Sequence, residues 1–309
     1  SNLNPNLSQI SFIDINHEIA VNKNLELSDA INNIRPSVLY LSEKGYESII
    51  HNGNYLIYTT VDGEPKIIDT FDGINQQYGI GYLNKDNIIF SINQPYSEKP
   101  SRLFSYDLVS GTREEIILPN ENPNPQNNTI LDGKDSIVCI ANKVDNTLSV
   151  FNFENKQEKT IPLENPSRCM FNPNKGSTQM AIISNNNTLQ IWDWDNNEIN
   201  NVYEGSTIFS TIWGREGELI IKATPEDSAS VEFIIYDTRE KRSSLLNLPA
   251  NIVAVYPLNI PNGYVIQTTY TADKTGELFL YDSQTGIMSY LGIAPDVAFS
   301  NPSDFRIYP

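Results

Sequence analysis

The sequence predicts an all-β chain, on three observations. Seven short, largely apolar runs end in Asp or Asn and recur at nearly constant spacing. The strong copies follow a strand, a tight turn and another strand, so each period holds four strands. The residues left over at the two chain ends amount to one further period. Repeats of ~40–45 residues with four strands each define a propeller blade. The expected fold is therefore a seven-bladed β-propeller of four-stranded antiparallel blades, with six or eight blades as alternatives.

Taken in order, the strong endings are "LFSYD" at Asp107, "LSVFN" at Asn152, "LQIWD" at Asp193, "FIIYD" at Asp237 and "LFLYD" at Asp282. Weaker copies are "ISFID" at Asp14 and "PKIID" at Asp69. Each reads as a buried strand closed by turn residues. A short acceptor at the last position can take backbone N–H bonds from the turn that follows. The intervals are 55, 38, 45, 41, 44 and 45 residues. The first is too long by about ten, which places an insertion near residues 22–36, with "LSDAINNI" as a short helix capped by Ser28. The hairpin units include "IGYLNKDNIIFSI", "TILDGKDSIVCIA", "CMFNPNKGSTQMAIIS", "STIWGREGELIIKA" and "AVYPLNIPNGYVIQT". The C-terminal "VAFSNPSDFRIYP" reads as the first hairpin of a blade that "QISFIDINHEIAV" completes, so the two ends would close the ring and remove its edges. No linker or composition shift divides the chain, and residues 1–309 read as one domain.

The copy at Trp192-Asp193 resembles the closing strand of a WD-repeat blade, and "FNPNKGSTQMAII" and "FSNPSDFRIYP" resemble hairpins of TolB-like propellers. WD repeats carry a Gly-His pair whose His bonds the blade's Asp. Here the only histidines, His17 and His51, follow no Gly. The resemblance therefore implies a divergent propeller and the fold alone.

Composition narrows the function. A formal charge of −17, from 38 acidic and 21 basic residues, argues against nucleic acid and anionic membranes as partners. No apolar run approaches ~18 residues, so no membrane span is expected. The chain opens Ser-Asn without Met, which reads as a domain cut from a longer, tethered or exported protein. An extracellular or periplasmic location is favoured over a cytoplasmic one, and a monomer is expected. The cysteines, Cys139 and Cys169, lie in apolar runs where reduced, buried thiols are the commoner outcome, though a single bridge is compatible with the count.

Chemistry is sparse. No G-x-S-x-G elbow is present, and both histidines fall early, His17 past a strand end and His51 in what reads as a turn, so a Ser-His-acid machine is not expected. Zinc spacing is absent, and no cofactor or metal is expected. "DWDNNEINNVYE" places Asp193, Asp195 and Asn197 at alternate positions as a calcium loop does, but it carries Glu198 where that loop needs Gly. A hairpin turn followed by a strand explains it better. Trp192 and Trp213 read as core. Trp194, in a polar turn with nothing obvious to cover it, is the candidate contact residue, and Tyr96 in "INQPYSEKP" is a second. Binding variability is expected in the longer segments "NQPYSEKP", "NENPNPQNN" and "TPEDSAS". The reading favours a non-catalytic module that binds a protein or a glycan on a loop face. The alternative is a hydrolase or lyase using carboxylates in the central channel.

Overall fold

The computed structural model describes residues 7–14, 19–26, 37–41, 47–52, 55–70, 77–93, 101–118, 128–142, 144–174, 176–185, 187–214, 217–226, 228, 230–249, 251–258, 260–268 and 276–293. Within them the chain is a β-propeller with six four-stranded blades, each an antiparallel meander in chain order. Blade 1 comprises β3 (Ser37–Leu41), β4 (Glu47–Asn52), β5 (Tyr55–Thr60) and β6 (Lys66–Thr70). Blade 2 comprises β7 (Gln77–Asn84), β8 (Asn87–Asn93), β9 (Arg102–Asp107) and β10 (Arg113–Ile116). Blade 3 is β11 (Asn128–Lys134), β12 (Ile137–Asn142), β13 (Thr147–Asn152) and β14 (Gln157–Pro162). Blade 4 is β15 (Pro166–Phe171), β16 (Gln179–Ser184), β17 (Thr188–Asp193) and β18 (Glu198–Glu204). Blade 5 is β19 (Thr207–Trp213), β20 (Glu218–Thr224), β21 (Glu232–Asp237) and β22 (Arg242–Leu245). Blade 6 is β23 (Ile252–Pro257), β24 (Gly263–Thr268), β25 (Glu277–Asp282) and β26 (Met288–Ile293).

Six blades rather than seven is a correction to the sequence reading. Among the described residues the unit ending at Asp14 forms a two-stranded sheet, β1 (Leu7–Asp14) against β2 (Ile19–Glu26). An ending motif marks one hairpin, not a whole blade, so counting endings overcounts. Closure through "VAFSNPSDFRIYP" falls on residues 297–309, outside the described residues.

A second correction removes the uneven spacing. In blades 2 to 6 the ending residue closes the third strand, opposite the first residue of the second strand, as Asp107 faces Asn87. In blade 1 the residue facing Glu47 is Thr60, whereas Asp69 lies in the fourth strand. Thr60 Oγ1 also accepts from Gly63 N at 2.8 Å, the bond an Asp makes elsewhere. Anchored at Thr60, the spacing back to Asp14 is 46 residues and forward to Asp107 is 47. The long interval reflects an anchor nine residues too late. Part of the stretch 22–36, up to Glu26, is strand β2, and the helix expected after Ser28 lies outside the described residues.

Each second strand is apolar on both faces ("NIIFSIN", "IVCIAN", "QMAIIS") and buried along most of its length, because neighbouring blades cover both sides. Fourth strands such as β10 and β22 are mostly exposed and polar. The cores lie between blades. Cys139, Leu148 and Val150 of blade 3 pack on Phe171, Met180 and Trp192 of blade 4. Ala181, Leu189 and Ile191 of blade 4 pack on Ile208, Leu219 and Tyr236 of blade 5. Each fully buried Leu, Ile or Phe contributes about 1.5–3 kcal/mol, so the ring is held as a series of inter-blade seams. The cysteines join in one of these seams as a disulfide linking β12 to β15. That overturns the expected reduced thiols. Strand-level patterns bury each cysteine separately, and only blade-on-blade packing brings the two together.

First strands of successive blades adjoin one another, β3 with β7, β7 with β11 and β11 with β15. They form the inner wall, where a propeller has its channel. A Cβ at Gly133 in β11 would lie 2.5 Å from Tyr82 Cε1 in β7, so this approach of two inner strands requires glycine.

Candidate functional site

The meander sorts the connections onto two ends of the ring. First strands start, and second strands finish, at one end, here the entry end. Segments joining blades and those joining second to third strands emerge there. They include the longest intervals in the described blades, 94–101, 117–127 and 269–276. Hairpin turns before second and fourth strands emerge at the other, the turn end.

The turn end is built on carboxylates. Asp107 Oδ1 accepts from Val109 N and Ser110 N at 2.8 and 2.7 Å. Asn152, Asp193, Asp237 and Asp282 accept from the residues two and three further on in the same way. The residue four positions on has positive φ in all five hairpins: Gly111, Lys156, Asn197, Lys241 and Gly286. Ser110 N and its neighbours hold the Asp107 carboxyl below its ordinary value, and the Thr285 N–H does the same for Asp282. Burial pushes Asp193 and Asp237 up, but the turn bonds, joined at Asp193 by the Thr178 hydroxyl, outweigh it and leave both lowered. A groove between blades 4 and 5 opens beside this end, yet its Lys241 and Glu198 pair with each other at 3.0 Å. The stretch weighed as a calcium loop is a hairpin turn capped by Asp193 and followed by β18.

At the entry end the six first strands share one irregularity. Each has a register shift against its second strand near its start: between Val38 and Tyr40, Tyr78 and Gly81, Ile130 and Asp132, Pro166 and Arg168, Ile208 and Ser210, and Ile252 and Ala254. A bulge frees backbone groups from the ladder and re-aims a side chain, and bulges gather at barrel rims and sites. At two of the bulges a freed carbonyl is taken up by a cation of the preceding blade. Arg168 Nη1 donates to Phe209 O at 2.6 Å, from blade 4 to the bulge of blade 5. Lys222 Nζ donates to Val253 O at 2.6 Å, from blade 5 to the bulge of blade 6. The same ammonium lies 5.8 Å from the Phe209 ring centre and 5.9 Å from that of Phe233. Burial lowers the Lys222 pKa. Phe209 is 44 % exposed although it stands on an innermost strand.

The residues singled out from sequence fare differently. Trp194, expected to be uncovered, is 8 % exposed and packs edge-on against Phe171 with ring centres 5.4 Å apart. Its carbonyl accepts from Lys159 Nζ at 2.6 Å, so the turn folds back over the seam between blades 3 and 4. Tyr96 lies outside the described residues. Trp192 is fully buried, and Trp213 donates from Nε1 to Met170 O of the preceding blade at 2.9 Å. His51 lies within strand β4 rather than in a turn, its ring edge-on to Tyr78; His17 lies outside the described residues. Sequence reasoning missed Arg168, Phe209 and Lys222. The only trace in "TIFSTIW" is a phenylalanine out of step with the two-residue alternation, which becomes visible once the bulge is known.

Among the described residues no three His, Cys, Asp or Glu side chains converge as a metal site, and no helix is long and apolar enough to cross a membrane. No family model matches the chain, and no curated protein matches it. Solved structures do. An oligogalacturonate lyase from Vibrio parahaemolyticus superposes with a TM-score of 0.64 at 10 % identity, covering 96 % of this chain and 88 % of that one. A catalytically inactive virginiamycin B lyase from Staphylococcus aureus, with quinupristin, gives 0.57 at 13 % identity, covering 94 % and 90 %. The Swd1 β-propeller domain from Myceliophteria thermophila gives 0.55 at 11 % identity, covering 87 % and 90 %. At these identities the likeness is one of fold, and it establishes the class as β-propeller.

Proposed function

We propose that the chain is a non-catalytic binding propeller whose entry end receives a ligand or a partner protein. The observation that carries this is a coincidence at that end: six inner-strand bulges, the longest inter-strand segments, and an exposed phenylalanine flanked by two cations. The carboxylates that recur from blade to blade speak for binding over catalysis. They lie at the turn end and are held ionised by backbone N–H groups, whereas a general acid needs a raised pKa. A protein or a glycan is the partner class, and the module acts as a monomer. The bond between Cys139 and Cys169 supports residence in an oxidising compartment, outside the cell or in a periplasm.

The second reading is a lyase working in the channel with carboxylates, and it draws on the likeness to two lyases of the same architecture. One comparison separates the two. The chain is incubated with uronate oligomers, neutral glycosides and cyclic depsipeptides, and unsaturated or hydrolysed products are followed by absorbance and mass spectrometry. The binding reading expects saturable binding of some members and turnover of none. Turnover that disappears on replacing a channel carboxylate would establish the lyase reading instead.

A further inference from the structure

We infer that Arg168, Phe209 and Lys222 form a subsite for a carboxylate carried on a flat, apolar body. The inference rests on the entry end being the binding end and adds what that end recognises. Cations in this chain are outnumbered by 21 to 38, and several on outer strands and turns find acidic partners: Arg102 with Glu115, Arg113 with Asp69, Lys159 with Asp195, Lys241 with Glu198. Among the described residues Arg168 and Lys222 form no ion pair. Each spends a single hydrogen bond on a bulge carbonyl. A guanidinium has five donors and an ammonium three, so each keeps donors to offer.

Those single bonds orient the two groups before a ligand arrives, which lowers the ordering cost of binding. Both are fixed around one residue, Arg168 on the carbonyl of Phe209 and Lys222 beside its ring. A planar carboxylate fits the guanidinium fork with two parallel bonds. The exposed ring of Phe209 then offers a face to the apolar part of the same molecule. Lys222, partly desolvated between two rings and without a counter-ion, gains more from an arriving anion than a lysine in open water. Aromatic carboxylic acids present this chemistry.

The test uses para-fluorobenzoate as probe and para-fluorobenzamide as its neutral match, with binding followed by fluorine NMR on the whole chain. The benzoate should bind saturably, weaken with added salt, and outcompete the amide at least tenfold. Arg168→Gln and Lys222→Met should each weaken it about tenfold, and Phe209→Leu several-fold, while Lys241→Met at the turn end should leave it unchanged. Circular dichroism identifies any variant that fails to fold, and the salt and amide comparisons on the parent chain stand without variants. Equal binding of acid and amide, indifference to Arg168→Gln and Lys222→Met in folded protein, or no binding of the benzoate would overturn the subsite. A partner that still docks at the entry end in that case would leave the wider reading standing; docking at the turn end would remove both.

Discussion

Replacing Cys139 and Cys169 together by alanine tests whether blades 3 and 4 are joined covalently. The bridge closes a loop of 30 residues. In the chain-entropy account, 2.1 + 1.5R ln 30 comes to about 12 cal/mol/K, or about 3.6 kcal/mol at room temperature. The two sulfur-sized gaps in a seam with Trp192, Phe171 and Met180 add roughly 1 kcal/mol. Unfolding a chain of 309 residues carries an entropy of about 0.65 kcal/mol/K. The combined loss therefore lowers Tm by about 7 °C. The assay is thermal unfolding followed by near-ultraviolet circular dichroism, which reads the tryptophans of this seam. The parent chain in excess reductant should show most of the same drop. A double variant that melts within about 1 °C of the parent would refute the reasoning, as would alkylation of both thiols in unreduced, denatured chain.

Two further outcomes follow from the turn end. Lys156 holds a left-handed conformation, φ 60°, at the position where Gly111 and Gly286 stand in other blades; Lys156→Gly should stabilise by about 0.5–1 kcal/mol, read as a higher urea midpoint, and a lower midpoint would count against the shared turn geometry. The lowered carboxyls of Asp107, Asp193, Asp237 and Asp282 contribute stability that is complete above the unfolded value of about 3.9 and is lost as pH falls through their lower folded values. The urea midpoint should therefore hold steady from neutrality to about pH 5 and fall below about pH 4. Asp193→Ala, which removes the acceptor for Thr178, Asp195 and Asn196, should cost about 1–2 kcal/mol at pH 7 and flatten part of the acid decline; a variant as acid-sensitive as the parent would argue against the cap.

The architecture was legible because its determinants are local. Apolar second strands bounded by turns, and an acceptor at the end of each third strand, recur within single blades, and the structure uses Asp193 and Asp282 as the pattern implied. The blade count was not legible, since "ISFID" looks the same whether it completes two strands or four. "PKIID" was taken for a third strand because its Asp is right, whereas the true counterpart ends in Thr60, which performs the same hydrogen bond. The site was least legible. Trp194 looked exposed because its neighbours are polar, but Phe171 and Lys159 cover it from positions 23 and 35 residues away. Arg168 and Lys222 gain meaning only from bulge carbonyls 41 and 31 residues further along. Contacts at about one blade's spacing join residues that no window of sequence places together.

The most direct test of the account is where a ligand lands. Isoleucine methyl spectra report both ends of the ring: Ile208 and Ile252 sit beside the entry-end bulges, and Ile260 and Ile287 in turns at the other. On titrating para-fluorobenzoate, Ile208 and Ile252 should shift in a saturable manner while Ile260 and Ile287 stay in place. Shifts gathered at Ile260 and Ile287, with Ile208 and Ile252 silent, would contradict the account.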